Sequence, residues 1–261
     1  MTFRLGQGAR AEGHRLHLHD TLPSTNSEAL RLAREGTAGP LWVVTKRQEA
    51  GRGRRGNAWV SPEGNLAASL LWPVPGVAPE LVATLGFVAG VALVGALGDV
   101  TKSPDAFRLK WPNDVLAEGR KLAGILLEAE QLPGGRRAVV IGFGVNVAAA
   151  PEGLPSPAAC LRDHGGGNAP LLFEFLSERF VEAARIWNKG RGFPEGIRRR
   201  WLERAAGLKQ PVAVRTGSET LAGTFDDIDE GGRLVILAPD DGTRRTVTAG
   251  EVHFGEAATA A

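Results

Sequence analysis

From Leu81 to Gly98 the chain passes through eighteen residues without a single charge. Only two surroundings accept such a stretch as a helix: membrane hydrocarbon, or the interior of a protein large enough to cover it on all sides. A spanning helix needs about 20 apolar residues and is usually flanked by basic anchors. This stretch barely reaches that length, consists largely of Ala, Gly and Val, and lies between Glu80 and Asp99. It is therefore expected to be a core helix laid against a sheet, with Gly86 and Gly90 letting backbone lie close to the strands beneath. With 261 residues, the chain is long enough for one large domain with a small companion, or for two modest ones.

The rest of the chain reads as mixed elements. Thr25 and Glu28 form a T-x-x-E capping box ahead of Ala29, Leu30, Leu32 and Ala33, and Gly36 closes that helix. Leu41 to Thr45 and Leu66 to Leu71 read as buried strands, and the Gly- and Arg-rich stretch from Gly51 to Gly64 between them as a loop. Strands are expected at Phe107 to Lys110, Val115 to Ala117, Lys121 to Glu130 and Ala138 to Val147, with turns at Glu118-Gly119 and Pro133-Gly134-Gly135. Hairpins of this kind imply an α+β domain with a mixed or antiparallel sheet and packed helices, not a doubly wound parallel sheet. Pro151 to Pro170 reads as a surface loop, and Leu171 to Trp187 and Gly196 to Arg204 as helices. After Gly207, short strands at Pro211 to Thr216, Thr220 to Asp226, Arg233 to Leu237 and Thr243 to Thr248 suggest a small β-barrel. The expected division is 1–206 and 207–261.

Charge and cysteine content bound the function weakly. Of 31 basic residues 25 are arginine, against 29 acidic residues, so the balance is near neutral and only clusters of arginine are informative. Cys160 is alone, which rules out an internal disulfide and CxxC sites. The first twenty residues carry charges and three histidines but no apolar run resembling a secretory signal, so a cytoplasmic location is expected. The five histidines show no metal-ligand spacing, and no protein-bound metal is expected.

Gly51-Arg52-Gly53-Arg54-Arg55-Gly56 satisfies GxGxxG, but Pro62 and Gly64 follow where a dinucleotide fold needs a helix. A Walker A loop fails because Asn57, not Lys, follows Gly56. Spacing alone leaves three readings: a solvated charged turn, an RGG-type nucleic-acid segment, or a loop closing over an anion. Glycine backbone amides and guanidinium forks suit the last chemically. Three clustered arginines repel one another, so ordering of such a loop should be coupled to anion binding.

Five separated motifs, in order, resemble the biotin protein ligase family. They are Ser24-Thr25-Asn26; Gln48-Glu49-Ala50 leading into the arginine loop; Trp59 with Ser61-Pro62 and Gly64-Asn65-Leu66; Lys110-Trp111-Pro112-Asn113-Asp114; and Arg120-Lys121-Leu122-Ala123-Gly124-Ile125-Leu126, joined by Gly142-Phe143-Gly144-Val145-Asn146. The segment with Gly223, Asp226, Asp227 and Gly232-Arg233-Leu234 is more loosely similar to the family's SH3-like barrel. The resemblance implies a class II synthetase-like catalytic domain and ATP-dependent attachment of biotin to a lysine of a biotin carboxyl carrier domain, through biotinyl-5′-AMP. Only 23 residues precede Ser24, too few for the helix-turn-helix of two-function members, so no nucleic-acid partner is expected. A lipoate or octanoyl transferase of the same fold is the nearest alternative, and a ligand-responsive nucleic-acid-binding regulator the alternative from another class.

The resemblance also implies site roles. Lys121, Arg52, Arg54 and Asp114 are the expected catalytic set. Lys121 would contact the biotin carboxylate and α-phosphate; its spacing alone also fits a snorkelling strand-end lysine. Asp114 would orient the incoming amine or hold a metal-associated water, and otherwise is a turn aspartate. Ser24, Thr25, Asn26, Gln48, Gly51, Arg52, Gly53, Arg54, Lys121 and Gly124 are expected at biotin, with Thr25 also capping its helix and Ser24 facing the ligand. Arg54, Arg55, Trp59, Lys110, Asn113, Lys121, Gly142 and Asn146 are expected at ATP, which would bring Mg²⁺ with it. A monomer or homodimer is expected.

Overall fold

The fold is a computed structural model that describes residues 2–151, 153, 158–217 and 219–254. Residues 152 and 154–157 of the expected surface loop, and 255–261 of the expected second unit, lie outside the described residues. In chain order the elements are α1 (Gln7–Ala11), β1 (Arg15–Leu22), α2 (Thr25–Arg34), β2 (Leu41–Arg52), β3 (Ala58–Ser61), β4 (Leu66–Trp72), α3 (Pro79–Val82), α4 (Leu85–Thr101), β5 (Phe107–Lys110), β6 (Asp114–Ala117), β7 (Arg120–Gln131), β8 (Arg137–Val145), α5 (Ala169–Trp187) and α6 (Arg199–Leu202). Then follow β9 (Pro211–Thr216), β10 (Glu219–Ile228), β11 (Leu234–Leu237), β12 (Arg244–Val247) and β13 (Glu251–Phe254).

The first eight strands form one sheet in the order β1-β2-β4-β8-β7-β6-β5, with β3 paired to β2. Only β1 and β2 run parallel, joined through α2; every other pair is antiparallel. Helices cover both faces. On one, α4 and α5 pack over the largest core; on the other, α2 buries Ala29, Leu30 and Ala33 against Leu41, Val43, Leu71 and Val140. The segment Pro79–Thr101, with a mean hydropathy of 2.2, would be long and apolar enough to cross a membrane, yet it is mostly buried within the protein. Its glycines act unequally. A Cβ on Gly90 would meet Leu109 at 3.0 Å and one on Gly98 would meet Pro104, whereas Gly86 faces open space, contrary to expectation.

Trp42 of β2 is the packing hub. It is fully buried and meets Phe143, Phe173 and Phe180 at ring separations of 5.7, 5.3 and 6.0 Å. Its Nε1–H donates to Nδ1 of His14 over 3.0 Å. Burial lowers the proton affinity of the His14 imidazole, against the opposing charge of Glu12, and the Trp42 N–H selects Nδ1 as the acceptor.

Several expectations need correction. Two elements ahead of α2 had no counterpart in the sequence reading: α1 and the edge strand β1, whose polar side chains and partial exposure hide a strand that pairs on one side only. Ser24, not Thr25, caps α2: its Oγ accepts from Ser27 N at 3.4 Å, while both residues border the same cleft. Most of Gly51 to Gly64 is hairpin and not loop, because β2 continues to Arg52 and pairs back with β3 through Gly51↔Trp59 and Arg52↔Ala58. The expected core helix is broken between α3 and α4, and π-type turns at Phe193–Arg198 precede α6. The second sheet has five antiparallel strands, in the order β12-β11-β10-β9-β13; the fifth, β13, carries too little apolar pattern to be read.

Candidate active site

A cleft on the α2 face of the large sheet gathers nearly all the residues singled out above. One wall is the start of α2, because the N-terminus of the crossover helix follows directly on β1. Thr25 N donates to Gln48 Oε1 at 2.9 Å, and its hydroxyl lies 3.2 Å from the same oxygen and 2.7 Å from that of Ser69. Asn26 accepts from Ser69 Oγ at 2.5 Å and donates through Nδ2 to Glu128 Oε2 at 2.7 Å. These buried hydroxyls and amides are thus held in fixed orientations. Ser69 and Glu128 were not found in the sequence, since they act across about forty and a hundred positions.

Glycines make the floor. Gly124 of β7 and Gly144 of β8 are direct cross-strand partners, as are Leu126 and Gly142. A Cβ on Gly142 would run into the Asn26 side chain, and one on Gly144 into the Trp59 indole. At Gly124 a Cβ would touch Trp59, Lys121 Cε and Asp114 Oδ1 at 3.4, 3.6 and 3.7 Å. Side chains can lie close over this track because Gly124, Gly142 and Gly144 present none of their own. Gly51 does not line the cleft; it leaves room for the Gln48 side chain.

The other end is cationic. Lys121 follows the tight turn at Glu118 and Gly119, next to a bulge in the β6–β7 pairing that re-aims its side chain. Its Nζ lies 2.7 Å from Asp114 Oδ1 and 5.7 Å from the centre of the Trp59 ring. That Asp114 oxygen has no hydrogen-bond donor at an acceptable angle, so the contact is an ion pair only. Arg54 donates to Asn113 Oδ1 at 3.3 Å, and Asn113 is fixed by donating to Ile125 O at 2.8 Å. Burial lowers the proton affinity of Arg54, with help from Arg55, and burial likewise pulls the Lys110 ammonium below the ordinary lysine range; Asp114 and Glu251 act in the opposite sense on both. Gly53 and Arg55 also line this end, and Arg52 stands at its rim.

Two placements differ from expectation. Asn146 is buried behind the cleft and does not line it; its Nδ2 donates to Ala159 O at 3.2 Å. In the opposite sense, Gly250 and, from β13, Glu251 and Val252 add to the cleft wall, and Phe254 of that strand lies 5.6 Å from the Lys110 Nζ, measured to its ring centre. Neither the strand nor its role was visible in the sequence. Among the described residues no group of three or more His, Cys, Asp or Glu side chains could hold a metal ion.

A polar, preoriented pocket that opens into five cationic side chains (Arg52, Arg54, Arg55, Lys110 and Lys121) is a site for bringing anions together, on a synthetase-like mixed sheet. Comparison with known proteins narrows this class. Residues 18–146 match the profile of the Biotin/lipoate A/B protein ligase family, and residues 207–255 that of the Biotin protein ligase C terminal domain. The chain is 42% identical over 240 residues to the biotin–[acetyl-CoA-carboxylase] ligase of Paracoccus denitrificans, spanning 89% of this chain and 97% of that protein. It is 30% identical over 244 residues to the bifunctional ligase/repressor BirA of Escherichia coli, covering 90% of this chain and 73% of that one. Among solved structures, biotin protein ligase from Aquifex aeolicus in complex with biotin and ATP superposes with a TM-score of 0.76 at 27% identity, over 92% of this chain and 97% of that one. The chain belongs to the biotin protein ligase family.

Proposed function

We propose that this chain attaches biotin to a lysine of a biotin carboxyl carrier domain. In the first step the biotin carboxylate attacks the α-phosphate of ATP, releasing pyrophosphate and leaving biotinyl-5′-AMP. In the second the carrier amine attacks the acyl carbon, forming an amide and releasing AMP. The observation that carries this reading is the convergence of Lys121 with the arginine hairpin beside the hydroxyl and amide pocket. Two anions repel as they approach, and fixed cations at the meeting point lower that barrier most.

Within this reading Ser24, Thr25, Asn26 and Gln48 hold the ureido ring, and Gly124 and Gly142 leave space for the ligand to lie against the strands. Arg52, Arg54 and Lys121 gather the carboxylate and α-phosphate, with Gly53 allowing close backbone approach. Arg55, Trp59, Lys110 and Asn113 serve the nucleotide, and Asp114 orients the incoming amine. Asn146 steadies the strand behind them. Magnesium enters with ATP, held mainly by phosphates; the carboxylate of Asp114, with Oδ1 lacking a well-angled donor, suits one of its waters. Residues 1–206 form the catalytic unit and 207–261 the small barrel. The protein works in the cytoplasm, as a monomer or homodimer, without a nucleic-acid partner. Incubating it with ATP, biotin and a carrier domain should give a streptavidin-shifted carrier band; no shift with an active carrier would refute the reading.

Arg54→Gly removes a guanidinium from the hairpin and adds backbone freedom. The reactive adenylate should escape more readily, raising biotinylation of an unrelated lysine-rich protein by about tenfold, the scale of one hydrogen bond to a charged group. If adenylate still forms and bystander labelling does not rise, Arg54 has no part in retention.

A further inference from the structure

Arg52 does not point its charge wholly into the cleft. One terminal nitrogen lies 3.2 Å from Ser27 Oγ and 3.3 and 3.4 Å from the two carboxylate oxygens of Glu128. Three acceptors sharing one nitrogen at these lengths make a loose pair, and the guanidinium remains half exposed. The neighbouring Glu130 is occupied by Arg34, which grips it through two bonds of 2.8 and 2.6 Å. Among the described residues Glu128 is therefore the one carboxylate paired with Arg52. Glu128 is itself held in place, since its Oε2 accepts from Asn26 Nδ2 at 2.7 Å.

On the functional reading above, we infer that Glu128 is a positioning residue that holds Arg52 in reserve at the rim and competes with the acyl-phosphate for its guanidinium. The ligand must draw Arg52 from a fixed carboxylate to close the hairpin, and when the carboxylate recaptures Arg52 the adenylate is released. Glu128 thereby sets how long the activated intermediate stays. Its cleft-side contact lets the two roles be separated. In Glu128→Gln the side-chain oxygen can still accept from Asn26, while the amide nitrogen turns a donor toward Arg52 and ends the attraction.

The test is the release rate of biotinyl-5′-AMP formed on the enzyme from biotin and labelled ATP, after removal of free ligand and without carrier. Glu128→Gln should slow release by about two- to fivefold, the range that a half-exposed ion pair can supply. The same substitution in an Arg52→Gln background should leave the release rate of that background unchanged. Release at the wild-type rate or faster, or equal slowing with Arg52 absent, would overturn the inference while leaving the ligase reading intact. Absence of any adenylate on the wild-type protein would overturn the ligase reading, and this inference with it.

Discussion

Replacing Lys121 by alanine should cut the rate of biotinyl-adenylate formation by about a hundredfold or more, the usual cost of removing a preorganised group that stabilises charge in the transition state. The protein should remain folded. Lys121 is 40% exposed and, among the described residues, its ion-pair partner is Asp114 at the cleft surface, so its removal opens no cavity in the core. Pyrophosphate release from ATP and biotin is the direct measure, with circular dichroism as the check on folding. Loss of the Lys121–Asp114 pair could reorient Asp114, and Asp114→Asn separates that effect: it removes the pair's attraction but keeps the ammonium. Were Lys121→Ala to release pyrophosphate at close to the wild-type rate, the lysine would not stabilise the first step.

Trp42→Ala should act on the fold. The indole is fully buried among Phe143, Phe173 and Phe180, and its loss leaves both a cavity and an unpartnered Nδ1 on His14. Truncations of this size cost about 3–5 kcal/mol. Each 1.4 kcal/mol is about tenfold, so the folding equilibrium should shift by roughly two to four orders of magnitude. For a chain of this length that is a melting temperature lower by roughly 6–20 °C. Urea unfolding should show a lower midpoint with a similar slope; an unchanged midpoint would mean that the hub collapses to fill the gap.

How much of this was legible in the sequence depended on whether the information was local. The strand Phe107–Lys110 and the turn into Asp114 were readable because Pro112 stops one run and the apolar residues restart after it. Lys121 and the arginine cluster were readable as chemistry, since glycines and cations in one short stretch have few other uses. The hairpin carrying the arginines was not, because its pairing is satisfied by backbone groups whatever the side chains are. Strand β1 was hidden by its place at the sheet edge, where burial is too small to impose a pattern. The Asn26–Glu128 and Lys110–Phe254 contacts join residues far apart in the chain, and no local rule brings them together. Asn146 was placed at the nucleotide by motif, whereas its side chain faces the backbone of Ala159.

The wall that β13 adds to the cleft also has a bearing on the order of synthesis. Glu251 leaves the ribosome more than a hundred residues after Lys121, yet both border the same cleft. A nascent chain that has already emerged through its cationic hairpin still lacks the barrel side of the enclosure. Until those last residues emerge, the cleft of such a chain stays open on the side that Glu251 and Val252 border. The site is thus completed late in translation, and a chain halted before β13 would hold Lys121 and the arginine hairpin with one wall of their cleft missing.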